Sequence, residues 1–150
     1  MQTVISGTAE ALDRTEPVMK EAGAKRAIRI KVSGPFHSPL MEDARLEFAG
    51  ALESVTFSDP RLPVYSNVSG EQVTDGDDAR RLCIQQLVSP VLWVEEEHAI
   101  VRDGSSGLLE VGPGTVLGGL WKAYRKSYPE VELTCHPAGK LEDMEQIPSA

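Results

Sequence analysis

His37 stands in Ser33-Gly34-Pro35-Phe36-His37-Ser38-Pro39-Leu40-Met41, a segment that one glycine and two prolines mark as a loop. Imidazole is the side chain whose charge changes nearest neutral pH, so a histidine in a rigid loop suits general acid–base work. The same position suits a structural or solvent-facing loop histidine, and isolated spacing does not choose between the two. No serine here carries the glycines of a nucleophile elbow. Gly104-Ser105-Ser106-Gly107 is not G-x-S-x-G and reads as a turn. No cysteine neighbours His37. If His37 is a base, its nucleophile comes from elsewhere. His98 follows Glu95-Glu96-Glu97 in what reads as a solvated helix face, and His136, beside Pro137, has no role to assign.

A second segment, Gly112-Pro113-Gly114-Thr115-Val116-Leu117-Gly118-Gly119, follows an apolar strand and opens a helix. A helix N-terminus can receive an anion. The spacing matches neither G-x-G-x-x-G nor a phosphate-binding G-K-[ST] loop, so close backbone packing is the expected reason for these glycines. Cys83 and Cys135 lie far apart, with no C-x-x-C and no metal-type Cys/His cluster, and are expected to be reduced thiols.

The chain has 150 residues, about one ordinary domain, with 15 Lys plus Arg against 23 Asp plus Glu and a net charge of −8. That balance argues against binding a nucleic-acid backbone but leaves room for a local basic pocket. No run approaches the roughly 18 apolar residues of a membrane helix, and the N-terminus lacks a signal-peptide pattern. A cytoplasmic location and no membrane partner are expected.

The elements that must position these residues fall into two textures. The first runs strand (2–6), helix (from the Thr8 cap to Gly23, with Pro17 kinking or delaying it), strand (25–32), helix (42–55), strand (62–68). Ala27, Ile28, Ile30 and Val32 alternate with Arg26, Arg29 and Lys31 over most of their strand, predicting one buried face and one wet one. This is most of a small α+β sandwich. The second texture is helical over 77–87 and 91–101, then strand (107–111), glycine turn, helix (116–126), strand (131–135) and a short closing helix (140–146). Strand, glycine turn, helix, strand is the pattern of an α/β layer fold with a parallel sheet.

Five segments in order resemble one family. They are Gln2 to Gly7, Val32 to Met41, Pro63 to Val68 (Pro-Val-Tyr-Ser-Asn-Val), Gln86 to Trp93 (Gln-Leu-Val-Ser-Pro-Val-Leu-Trp) and Glu110 to Leu120. Each is weak alone; in register they resemble the malonyl-CoA:acyl carrier protein transacylases and the acyltransferase domains of fatty acid and polyketide synthases. The resemblance implies an α/β fold, a ferredoxin-like α+β subdomain over 1–62 followed by the C-terminal part of an α/β-hydrolase-like three-layer core over 63–150. It implies malonyl transfer from CoA to the phosphopantetheine thiol of an acyl carrier protein through a serine ester, with no metal or redox cofactor.

On the same resemblance His37 matches the catalytic histidine, the general base toward the serine and then the incoming thiol. Gln86 matches the glutamine whose backbone carbonyl orients that histidine, where a triad would use a carboxylate. Phe36 matches the position tied to extender-unit choice, its bulky ring favouring malonyl over methylmalonyl. Asn67 matches a recurrent asparagine near the site. The family is roughly twice this length, and its G-H-S-x-G serine, carboxylate-binding arginine and oxyanion-hole donors have no match in these residues. The chain is therefore expected to be the C-terminal half, inactive alone, with malonyl-CoA, acyl carrier protein and a separate N-terminal half as partners. The rival expectation is a non-catalytic module of ferredoxin-like form that binds acyl carrier protein or regulates, using Arg26, Arg29 and Lys31.

Overall fold

The structure is a computed structural model and describes residues 2–144. Its helix α1 (Ala9–Glu21) begins where Thr8 caps it, the Thr8 hydroxyl accepting the Ala11 N–H at 3.2 Å. The helix continues past Pro17 rather than starting late; the proline forfeits one backbone hydrogen bond without ending the element.

The strands expected at 2–6 and 25–32 do not form as ladder strands. A strand needs a hydrogen-bonded neighbour, and among the described residues neither segment has one. Nor is one face of 25–32 buried: Ile28, Ile30 and Val32 are 71%, 58% and 65% exposed. Arg29 is tied to Asp13 of α1.

A 3-10 turn (Pro39–Met41) leads into α2 (Glu42–Ala51), which ends before the expected Val55. The expected strand 62–68 shrinks to β1 (Tyr65–Ser66), paired antiparallel with β2 (Glu71–Gln72). Then come α3 (Gly76–Gln85) and α4 (Trp93–Arg102), close to their predicted spans. The hairpin is held to the end of α4: Tyr65 donates to Asp103 at 2.9 Å, and Arg102 grips the Glu71 carboxylate with two nitrogens.

The expected parallel pairing forms as β3 (Leu108–Val111), α5 (Val116–Ser127) and β4 (Cys135–Ala138), with Leu108 opposite Cys135 and Val111 opposite Ala138. The last strand lies later than the expected 131–135. Val131 instead fills the core with Trp121 and Tyr124, and Pro137 hides the real strand from a propensity reading. Trp121 donates to the Leu133 carbonyl at 3.0 Å, closing the return from α5 to β4. A final helix, α6 (Leu141–Met144), covers the start of the expected 140–146; residues 145–146 lie outside the described ones.

Two charged positions reverse the sequence reading. In β3 it is the polar Glu110 that is buried, while Leu109 and Val111 are exposed. Its carboxylate accepts the Leu117 and Gly118 N–H groups at 2.9 and 2.8 Å, two of the donors that α5 leaves free at its N-terminus. The anion at this helix end is thus the protein's own. Gly112 and Gly114, at φ 117° and 98°, take the left-handed backbone that makes the turn possible. Replacing Glu110 by alanine should lower unfolding stability by about 1–2 kcal/mol, read from a urea melt, because both N–H groups lose their acceptor.

The Glu95–Glu97 run is likewise not wholly a wet face: Glu95 is exposed, but Glu96 is half-buried and Glu97 buried. Glu97 is 2% exposed, and Glu97 Oε1, Glu96 Oε2 and the Trp93 indole nitrogen are buried without a hydrogen-bond partner. A fold that turns this helix side inward buries whatever charge the side carries.

Candidate active site

The loop before α2 is built around Ser38, which is buried. Its hydroxyl donates to the Pro35 carbonyl at 2.6 Å and accepts the Leu40 N–H at 3.4 Å, while Pro39 opens the 3-10 turn with φ already suited to it. This places the preceding residue, His37, at φ 59°, the only non-glycine residue in the left-handed region among those described. Such a backbone costs of order 1–3 kcal/mol and persists only where its surroundings hold it.

What holds it is the end of α3. The His37 N–H donates to the Leu87 carbonyl at 3.1 Å, and His37 Nδ1 lies 3.0 Å from the Gln86 carbonyl oxygen. A carbonyl oxygen only accepts, so this contact is a hydrogen bond when Nδ1 carries the proton. Nε2 is then the nitrogen with a free lone pair, and no side chain among those described bonds it. The Gln86 side-chain nitrogen approaches Nδ1 at 3.4 Å. Gln86 itself is the C-cap of α3, where helix geometry leaves carbonyls unpaired. The structure thus brings His37 and Gln86 together through a main-chain atom.

Phe36 is 44% exposed, its ring beside Gly34. Asn67 sits in the β1–β2 turn, and its carbonyl accepts the Leu92 N–H at 2.7 Å. Asn67 and Gln86 line the same open groove of about 280 Å³, together with Ser66, Leu82 and Cys83. The two remaining histidines are placed elsewhere. His98 Nδ1 lies 2.7 Å from the Tyr124 hydroxyl and its ring packs edge-on against Tyr124 and Tyr128; His136 meets Thr134. His98 is exposed, as expected, and its ring is also bonded to Tyr124. Among the described residues no group of three or more His, Cys, Asp or Glu could hold a metal ion.

Sequence reasoning missed Leu87, whose contribution is a carbonyl and leaves no mark on residue type. It missed Ser38 as well, although Ser-Pro after the histidine is a turn-initiating pair. Arg29, one of the three basic residues of the rival reading, is already engaged by Asp13.

A histidine whose Nδ1 is anchored to a carbonyl and whose Nε2 is open can take a proton from a hydroxyl or thiol brought to it and return that proton to a leaving group. No serine or cysteine side chain hydrogen-bonds the ring among the described residues.

No protein-family model matches the chain. Among curated proteins it is 43% identical over 121 residues to the malonyl CoA-acyl carrier protein transacylase of Bacillus subtilis, covering 81% of this chain and 38% of that one. The corresponding protein of Escherichia coli K12 is 42% identical over the same length, with 39% of it covered. Among solved structures, an acyl carrier protein S-malonyltransferase from Vibrio cholerae superposes with a TM-score of 0.86 at 35% identity, covering 95% of this chain and 45% of that one. A malonyl-transacylase in complex with its type II PKS acyl-carrier protein gives 0.84 at 34% identity, covering 93% and 43%. The chain is homologous to these transacylases and spans about two fifths of the length of the curated relatives it matches.

Proposed function

We propose that this chain, a homologue of the malonyl-CoA:acyl carrier protein transacylases, supplies the histidine side of a malonyl-transfer site. The observation that carries the reading is the His37 Nδ1 contact with the Gln86 carbonyl, which leaves Nε2 free to act as a base. The serine nucleophile comes from polypeptide outside these residues, which contain no G-H-S-x-G.

In the first half-reaction Nε2 takes the serine proton as the oxygen attacks the malonyl thioester carbonyl. The carbon–sulfur bond then breaks, and the imidazolium returns the proton to the departing CoA sulfur. A serine ester of malonate remains. In the second half-reaction Nε2 takes the proton of the phosphopantetheine thiol of an acyl carrier protein. The thiolate attacks the ester, and the serine oxygen leaves with the proton from His37. Nδ1 keeps its own proton throughout, because the Gln86 carbonyl orients the ring but cannot accept that proton outright. Acyl transfer between sulfur and oxygen changes no oxidation state, so neither half-reaction calls for a redox cofactor, and in this reading His37 carries the proton transfers without a metal.

Phe36, next to His37, is the residue we assign to acyl choice, its ring favouring malonyl over the bulkier methylmalonyl. Asn67 supports the site through its turn. In the same reading residues 1–62, whose described part forms no ladder strand by itself, belong to a ferredoxin-like small subdomain carrying the His37 loop. Residues 63–150 belong to the C-terminal part of an α/β-hydrolase-like core; the parallel β3–α5–β4 unit supports that assignment. The setting is cytoplasmic fatty acid or polyketide synthesis, with malonyl-CoA and acyl carrier protein as substrates.

The test is transfer of labelled malonyl from CoA to phosphopantetheinylated acyl carrier protein. The 150-residue chain alone should give none. Mixing it with the serine-bearing portion of a homologous transacylase should give transfer. Turnover by the chain alone would overturn the division of the site, and a stable but inactive complex would overturn the assignment itself.

A further inference from the structure

We propose that Arg80 is a positioning residue for His37, acting from the far end of a helix pair. The proposal rests on the reading of His37 as the base only for its functional meaning; the geometry stands apart from it. Helices α2 and α3 lie antiparallel and are joined at both ends. At one end the His37 loop, which feeds α2, is bonded to the Gln86 and Leu87 carbonyls at the close of α3. At the other, Arg80 of α3 reaches the closing turns of α2: its two terminal nitrogens donate to the Leu52 and Val55 carbonyls.

Three details make this second junction specific. The guanidinium lies over the Phe57 ring, 4.9 Å from its centroid, so the planar group is held on a face as well as at its edge. Gly76, the first residue of α3, donates to the Asp59 carboxylate at 2.9 Å, and a Cβ there would stand 2.4 Å from the Phe57 carbonyl oxygen. The segment after α2 is therefore seated directly on the start of α3. Third, Arg80 makes no ion pair among the described residues; it is committed to two main-chain oxygens, that of Leu52 at the C-cap of α2, which also accepts the Val55 N–H, and that of Val55 just beyond it. A forked donor can bridge two carbonyls in fixed geometry, where a lysine presents one point charge.

The consequence is registry. Sliding one helix past the other by a single residue moves the pair about 1.5 Å. That displacement carries the 3.0 Å Nδ1 contact with Gln86 out of hydrogen-bonding range. Arg80 blocks the slide at the end remote from the imidazole, and so fixes which ring nitrogen keeps its proton.

Nitrogen-15 NMR of the histidine rings in the 150-residue chain, at alkaline pH, tests this. The unaltered chain should show the His37 ring nitrogen-15 shifts of the Nδ1–H tautomer. In Arg80→Met, which keeps an unbranched apolar stem, that signal should be lost while the His98 signals keep their positions. Arg80→Lys should give the same loss, and it carries the test if the Met variant does not fold. A folded variant with the His37 Nδ1–H signal intact, whatever its melting temperature, would overturn the proposal. So would collapse of the His37 and His98 signals together in both variants, which would make Arg80 a general stability residue. The readout needs no turnover, so it stands or falls separately from acyl transfer.

Discussion

Replacing His37 by alanine, in an assembly of this chain with a serine-bearing transacylase portion, is expected to lower malonyl transfer by roughly 10²–10⁴-fold, the usual contribution of a positioned acid–base group. Both half-reactions begin with a proton leaving an oxygen or sulfur, and Nε2 is the one free basic nitrogen that the His37 loop presents. Both should slow, so the burst of serine ester and the later appearance of malonyl-carrier protein should fall together. Gln86→Ala provides the contrast. The orienting atom is a backbone carbonyl, which survives the substitution, so activity should change little compared with His37→Ala. Equal losses in the two variants would show that the Gln86 side chain, 3.4 Å from Nδ1, matters more than its main chain.

The second large effect concerns pH and stability. Burial pushes the Glu97 carboxyl up to about 7 from its usual 4.5; the indole of Trp93 opposes the rise without closing a hydrogen bond, and the Glu96 carboxylate adds to it. The folded state then holds a proton that the unfolded chain has already released. This contribution is fully present below about pH 4.5 and lost as pH rises through about 7. A shift of this size corresponds to up to about 3 kcal/mol between the ends of that window. Urea melts of the chain and of Glu97→Gln, from pH 4.5 to 8, should diverge: the difference in stability between the two should change across the window and flatten above it. Parallel curves would show that Glu97 stays ionised in the fold. Tyr124 and Cys135 stand on the side that Glu97 faces, and its charge bears on both.

Legibility in the sequence followed the range of the forces involved. The Thr8 cap, the spans of α3, α4 and α5, and the glycine turn after β3 are local matters, set by capping, periodicity and backbone freedom within a few residues. They were readable, and the parallel pairing of β3 with β4 followed from their order. The strands at 2–6 and 25–32 failed for the opposite reason. Alternating Ile and Val is a property of a segment, but a ladder is a property of two, and no second strand meets either one among the described residues. The same limit hid β4, where Val131 was drawn into the core and Pro137 broke the expected pattern.

The site divides along the same line. His37 was legible as a candidate because its residue type and rigid loop are local, and the order of five motifs raised Gln86, Phe36 and Asn67 beside it. Residue types alone thus determined the histidine, its loop, most helix boundaries and the kinship with transacylases. The tertiary structure decided the rest. It set the left-handed backbone at His37, the two carbonyls that receive it, the inward turn of Glu97 and Glu110, and the grip of Arg80 on the far end of α2. Each depends on a main-chain atom or a dielectric supplied by residues distant in the chain, and neither is written in the type of any single residue.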